Sequence, residues 1–470
     1  MSGTSDRPRA AGLWRHGDFL KLWSAQTVSL VGTQVSALAL PLTAILKLNA
    51  TPFEVGLLGS LQYLPFLLVT LPAGAIVDRL RRRPVLVAAD LARALILLGV
   101  PVAVWLGHLS MGLLYPVAFL VGMLSVFFDV AHQSYLPALV EPGQLVEGNT
   151  KLQLSYSGAQ LAGPGIGGVL VQLLTAPIAI LADAASYVGS ALLLVSIRRP
   201  EPREPRPDAG GGLRADLRGL GQDIREGTAF VWRHALIRPL ALATGTANFF
   251  YLFGMTGAVL TLYAVRVLHL SPAQLGLVLA VGNVGAILGS LAADRVLERW
   301  RFGLVMIVCS VVSAVAISMM ALATRGTALP VLAAAVLVGE TGIVVYDIAQ
   351  ISLRQAATPP RLLGRMNATV RFVNWGPIPV GALVGGALGQ TIGLRPTLWV
   401  AAAGSVLPAV PLLLSQIRGL RRLPEPVEPL EPSASDTDES PVAETVEPDG
   451  PAVSAVSGER PSPATDRGAG

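Results

Sequence analysis

Several ionisable side chains stand inside otherwise apolar stretches, and their spacing limits the chemistry open to them. Glu340 and Asp347 are seven residues apart, two turns along one helix face, while Asp129 and His132, like Asp90 and Arg93, are three apart. Residues at such spacings are neighbours on a helix surface. An ionisable group in hydrocarbon costs at least ~2.5–3.5 kcal/mol and rarely persists without a partner or a task. Glu340, deep and solitary, is the first candidate for a carboxyl that binds and releases a proton. Asp347 and Asp129 are weaker candidates, matched to each other as structural or gating elements. A carboxylate beside an imidazole can exchange a proton near neutral pH, so Asp129 and His132 form a second candidate pair; a buried histidine with satisfied hydrogen bonds fits His132 equally. Asp90 and Arg93 either neutralise each other or take part in gating. Arg371 is a candidate counter-charge for Asp347 or Glu340, and Asp183 would cap or pair locally.

The elements that hold these groups follow from composition. Of 470 residues, 52% are hydrophobic and 14% charged, against ~25% charged in a soluble domain. This excludes a soluble enzyme on a membrane anchor. At ~20 apolar residues per crossing, apolar runs predict helices over about 19–46, 54–78, 84–106, 110–138, 148–173 and 177–197, then 237–266, 272–298, 302–323, 329–356, 363–390 and 394–416. The expected fold is an all-α membrane protein of twelve transmembrane helices. Arg and Lys concentrate in one set of loops, at Arg79, Arg81, Arg82 and Arg83, from Arg198 to Arg238, and at Arg418, Arg421 and Arg422. Positive loops stay cytoplasmic, so both termini are expected there. Basic charge of this kind suits anionic headgroups and not nucleic acid.

Internal similarity divides the twelve into two six-helix pseudo-repeats. A shift of 218 residues brings Asp129 onto Asp347, Asn149 onto Asn367, Gly158 onto Gly376, Gly163 onto Gly381, and Gly167 and Gly168 onto Gly385 and Gly386. At a slightly different shift Thr51, Pro52 and Gly56 match Ser271, Pro272 and Gly276, and Asp78 and Arg79 match Asp294 and Arg295. The expected organisation is a cytoplasmic N-terminus (1–18), a first bundle (19–197), a linker (198–236), a second bundle (237–417) and a tail (418–470). In the linker Leu213, Leu217, Leu220, Ile224 and Phe230 predict a short amphipathic helix. Eleven acidic side chains from Glu425 to Asp466 stand among Pro and Ser, so the tail is expected to be disordered. Parallel repeats place a substrate path between the halves near the bilayer midplane.

Two motifs carry a resemblance. The run Gly74, Asp78, Arg79, Arg82 and Arg83 resembles the cytoplasmic signature Gly-x-x-x-Asp-Arg-x-Gly-Arg-Arg of the major facilitator superfamily, with Arg81 in place of its second Gly. The resemblance implies close helix contact at Gly74 and a gate in which the arginines pair across the halves, with Asp294 and Arg295 as a weaker copy. Read alone, the run is also a positive-inside loop. Gly163, Pro164, Gly167 and Gly168 in helix five resemble the core of the signature associated with exporters of that superfamily. Pro bends a helix and glycines admit a close neighbour, which suits either a seal on one side or ordinary packing. The wider text, including Asp90, Arg93, Phe128 to Pro137 and Trp375 to Gly381, resembles the drug:proton antiporter branch with its macrolide-efflux and siderophore-export relatives, over about residues 15–417.

That resemblance implies proton-driven export of a small amphipathic compound; proton-coupled uptake by the same fold is the alternative. Gln34, Gln62, Tyr63, Asn248, Phe250, Tyr251, Asn374 and Trp375 mix amides with aromatics and are candidates for lining a bulky, partly apolar ligand, though core packing explains each singly as well. Gly-x-x-x-x-Gly-Lys-Ser/Thr is absent, the five histidines are scattered, and Cys309 stands alone. No enzyme, cofactor, metal site or nucleic-acid partner is expected. The expected partners are a small molecule, protons and lipid, and the expected place is the cytoplasmic membrane of a bacterium, as a monomer.

Overall fold

The computed structural model describes residues 13–77, 79–199, 201, 225–251 and 254–424, and every regular element in them is helical. The first half contains α1 (Gly17–Lys47), α2 (Pro52–Leu68), α3 (Thr70–Val77), α4 (Arg82–Trp105), α5 (Met111–Leu139), α6 (Leu145–Leu174) and α7 (Ala176–Val195). A short helix α8 at 225–233 leads into the second half. That half contains α9 (Ile237–Phe250), α10 (Met255–Leu262), α11 (Pro272–Arg299), α12 (Phe302–Leu322), α13 (Ala328–Ala356), α14 (Leu363–Trp375), α15 (Pro377–Thr391), α16 (Leu394–Gly404) and α17 (Ala409–Leu413). These make twelve crossings, because α2 with α3, α9 with α10, α14 with α15 and α16 with α17 are each one crossing with a break. The breaks have local causes. Pro72 has no N–H to give the Leu68 carbonyl between α2 and α3, and Gly376 with Pro377 breaks the ladder between α14 and α15.

Among the described residues nine helical segments are long and apolar enough to cross a membrane. The other three crossings are the broken pairs α2 with α3 and α14 with α15, and α6, whose first half bears Glu147, Asn149, Lys151 and Gln153. The repeat reaches the level of caps. Thr51 and Glu54 form a capping box at the start of α2, and Ser271 and Gln274 form the matching one at α11.

The apolar core is not uniform along the bundle. At the end away from the N-terminus one cluster joins both halves, with Leu38 and Leu42 of α1, Val259 and Leu262 of α10 and Leu332 of α13. At the other end, which bears the loop arginines, the clusters are separate. One draws only on residues 13–197, the others only on 231–417. The halves are therefore packed together at the far end and parted at the basic end. The expected acidic tail beyond residue 424, Asp78, and Leu213, Leu217, Leu220 and Ile224 of the linker lie outside the described residues.

Candidate functional site: the charged interior and the seams between the halves

In the first half the charged groups gather where α1, α4, α5 and α7 meet. Arg93 pairs with Asp90 on its own helix, and both are buried. The Arg93 guanidinium also donates to Ser125 Oγ at 3.2 Å and stacks on Phe128 and Tyr187, 4.4 and 4.2 Å from the ring centroids. Tyr187 in turn shares a 2.9 Å hydrogen bond with Thr33 of α1. Asp183 is fully buried and receives Ser186 Oγ at 3.1 Å, where Gly32 lets α1 come close. A three-residue spacing thus yields a neutral pair at Asp90 and Arg93. The same spacing fails at Asp129 and His132, which share no hydrogen bond. His132 stacks on Phe128 at 5.9 Å, its Nε2 unpartnered, while Asp129 lies within the fields of Arg93 and Arg371. The expected proton exchange between Asp129 and His132 is not built.

In the second half Glu340 sits on α13 at its crossing with α11, its side chain against Gly282. Its nearest titratable neighbours are Tyr251, at the break between α9 and α10, and Asp347. Among the described residues Glu340 has no hydrogen bond and no ion pair. Asp347 is exposed and accepts a hydrogen bond from Gln350 Nε2 at 3.4 Å, with Arg354 beyond it. Arg371, expected to face Asp347 or Glu340, instead acts across the halves on Asp129.

The loop after α3 also departs from expectation. A Cβ built on Gly74 would meet nothing within 4 Å, so no neighbour packs against it. Arg82 pairs with Glu201 at 3.6 Å, and Glu201 Oε1 accepts the Arg82 backbone N–H at 2.8 Å. Arg83 Nε donates to the Leu194 carbonyl at 2.9 Å and its Nη2 to that of Val195. These bonds hold the loop to the end of α7 in the same half, and a carboxylate at the first turn of α4 also suits the helix dipole. Sequence reasoning missed Glu201, whose only signal was one acid between two prolines. Asp294 and Arg295 are exposed, and Arg295 returns to the Leu291 carbonyl at 3.1 Å.

The glycines of helix five lie on two close contacts. Gly163 receives the Gln34 side chain and Gly167 approaches Val35 Cα of α1, while Gly168 faces Pro272 and Gly276 of α11. A Cβ on Gly168 would fall 2.5 Å from the Pro272 carbonyl oxygen. The repeat builds the same seam between α15 and α2: a Cβ on Gly386 would fall 2.7 Å from the Pro52 oxygen and 2.9 Å from Gly56 Cα. Pro164 belongs to the first seam, its carbonyl oxygen facing Gly276. Both seams lie at the end where the core is continuous.

The candidate lining residues divide. Trp375 stacks on Phe66 across the halves at 5.7 Å, with Tyr63 next to Phe66 at 6.5 Å. Asn248 Nδ2 donates to the Asn374 carbonyl at 2.8 Å, bridging α9 and α14, and Tyr251 and Asn374 are buried. The Gln34 side-chain stem lies against Gly163, Gln62 meets Gly122 with its backbone carbonyl, and Phe250 fits into Gly404 of α16, so Phe250 serves packing inside its own half. Sequence reasoning missed a polar stripe on α6, Asn149, Gln153, Ser157 and Gln160 at spacings of three and four. Asn149, Gln153 and Ser157 of it face a groove of about 620 Å³ shared with α1 and α5. The signal was present, a polar residue every turn in a helix predicted to cross lipid.

A model of the family described as the Major Facilitator Superfamily matches residues 22–377 and 242–460. The chain is 28% identical over 422 residues to the multidrug efflux pump Tap of Mycolicibacterium fortuitum, across 86% of this chain and 98% of that pump. It is 27% identical over 417 residues to the enterobactin exporter EntS of Salmonella typhimurium, across 87% and 94%. Among solved structures, a bacterial homologue of the iron transporter ferroportin in an inward-facing state matches with a TM-score of 0.65 at 17% identity, over 86% of this chain and 99% of that one. The nucleoside transporter NupG matches with a TM-score of 0.63 at 12% identity, over 84% and 98%. At these identities the structures speak to the fold alone.

Proposed function

Because this chain belongs to the Major Facilitator Superfamily, a family of membrane transporters and not enzymes, we propose that it exports a small amphipathic compound in exchange for protons by alternating access. The observation that carries this reading is the core that is continuous at one end and divided at the other. A path open to one side only is the geometry that such a cycle needs. Similarity to two exporters over most of the chain supports the outward direction.

The basic end is read as cytoplasmic by the positive-inside rule, which places both termini inside and the protein in a bacterial cytoplasmic membrane. In the form described here substrate enters from the cytoplasm between the halves, while Glu340 gives up its proton to the same side. Closure of the basic end and opening of the glycine seams then expose the site outward, where Glu340 is reprotonated and the compound leaves. Arg82 and Arg83 must exchange their present partners as that end closes, which is the work assigned to the gate. The two bundles move about the seams as bodies, linked through 198–236, and one chain suffices for the cycle.

The test is accumulation of a panel of fluorescent or antibiotic compounds in an efflux-deficient bacterial host, with and without an uncoupler. Lower accumulation that the uncoupler restores is expected. Raised accumulation would indicate uptake and overturn the reading.

A further inference from the structure

The face of α6 that meets the second half recurs every three or four residues. Gly168 and Pro164 lie against Gly276, and Asn283 Nδ2 donates to the Gln160 carbonyl at 2.6 Å. Continued toward the basic end, the same face carries Ser157 and Gln153, past the point where the halves part. With α1 and α5 it forms the groove of about 620 Å³. The lining consists of four carboxamides, an imidazole, three hydroxyls and four leucines, with no charged side chain. Of the charges nearby, Lys151 is held by Glu147 at 2.9 Å and by the Trp14 ring at 4.0 Å, while Asp129, whose field reaches Tyr156 of the lining, also lies within those of Arg93 and Arg371.

Two buried atoms of this lining have no hydrogen-bond partner, Gln26 Oε1 and Nε2 of His132, a residue only 8% exposed. A buried polar group left unpaired costs ~1–3 kcal/mol, so such atoms are rare unless something else satisfies them. Both belong to one groove.

We propose that this groove binds a neutral, polyhydroxylated ring, such as a sugar, carried by the transported compound. A carboxamide offers both a donor and an acceptor, so Gln26, Gln133 and Gln153 can each meet a hydroxyl, and His132 completes the set. The leucines lie against the apolar C–H face of the ring. A lining without charge gives an organic cation or anion no partner for its desolvated charge. A site built to hydrogen-bond hydroxyls also discriminates strongly against an analogue that lacks them. The inference rests on the exporter reading and narrows its substrates to amphiphiles bearing an uncharged glycoside.

The test is equilibrium binding to the purified full-length protein in lipid nanodiscs, with methylumbelliferyl glucoside, its sugar-free aglycone and ethidium as probes. Saturable binding of the glucoside is expected, at least about tenfold tighter than either other probe. Gln26→Leu and Gln153→Leu should each weaken it about tenfold, and Gln390→Leu, exposed on α15, should not. Gln26→Leu removes no protein partner from Oε1, and monodispersity of each variant checks that it folds. Absent glucoside binding, binding indifferent to both substitutions, or equal loss of ethidium binding would each overturn the proposal. Accumulation in energised inverted vesicles separates the two readings. Glucoside that binds but is never accumulated counts against export and leaves the groove standing; accumulation unaffected by Gln153→Leu counts against the groove alone.

Discussion

Glu340 differs from Asp90, Asp129 and Asp347 in having no cation beside it among the described residues. Asp90 has Arg93, Asp129 has Arg93 and Arg371, and Asp347 has Arg354. A carboxyl fixed by a permanent counter-charge changes its protonation with difficulty, whereas one that is unpaired and open to alternate sides can do so once per cycle. Glu340→Gln is therefore expected to abolish proton-coupled export while membrane insertion stays normal; compound-driven proton flux at the wild-type rate in that variant would remove Glu340 from the mechanism. The Asp90 and Arg93 pair makes the opposite prediction. Removing one member of a buried pair leaves an uncompensated charge and costs about 3–5 kcal/mol. Arg93→Met should be destabilised by that order in detergent unfolding, and Asp90→Leu combined with it should recover most of the loss. Equal destabilisation of the single and double variants would show that packing of Arg93 on Phe128 and Tyr187 is what matters. Helix periodicity found the partners that share a helix, which is why Asp90 and Arg93 were legible. Partners on other helices were not, so the reach of Arg371 to Asp129 went unseen, and His132 was matched to Asp129, with which it shares no hydrogen bond.

At the scale of elements, the seams depend on glycine. Gly168 and Gly276, like Gly386 and Gly56, bring backbones to separations that no side chain permits. Gly168→Val should wedge α6 from α11, and overpacking of ~1–3 kcal/mol shifts a two-state population by about 5- to 150-fold. Distances between spin labels at the far end should lengthen and export should fall; unchanged distances would show that the seam does not hold that end closed. A second element-level prediction concerns the junction of α8 and α9. His234 Nδ1 accepts the backbone N–H groups of Leu236 at 3.2 Å and Ile237 at 3.4 Å, and burial holds its pKa below the ordinary 6.5. Below 6.5 the unfolded chain takes up this proton first, so stability that is present above that pH is lost as the pH falls. Acidification from about pH 7 to about pH 5.5 should lower the apparent Tm of the wild type more than that of His234→Asn, which can cap without titrating. Equal losses would contradict the cap. Crossings were legible because apolar runs and the shift of 218 residues repeat the same elements. The breaks were not, because Pro72, Gly376 and Pro377 read as ordinary interruptions until the partner helix is seen.

For the molecule as a whole, the sequence announces two copies of one bundle but not their relation, since the same residues must serve both open forms. The division of the core at the basic end selects one form, and this also explains why Gly74 meets no neighbour and why Arg82 and Arg83 turn to Glu201 and the end of α7. These are contacts of the parted form. The central claim is that movement of the compound outward is driven by protons moving inward through Glu340. The most direct measurement is accumulation of compound in inverted membrane vesicles under an imposed proton gradient, acid inside, with pH recorded in the lumen. Accumulation with luminal alkalinisation is expected in the wild type, both lost with an uncoupler and in Glu340→Gln. Accumulation that persists without the gradient, or that proceeds with no luminal pH change, would contradict it.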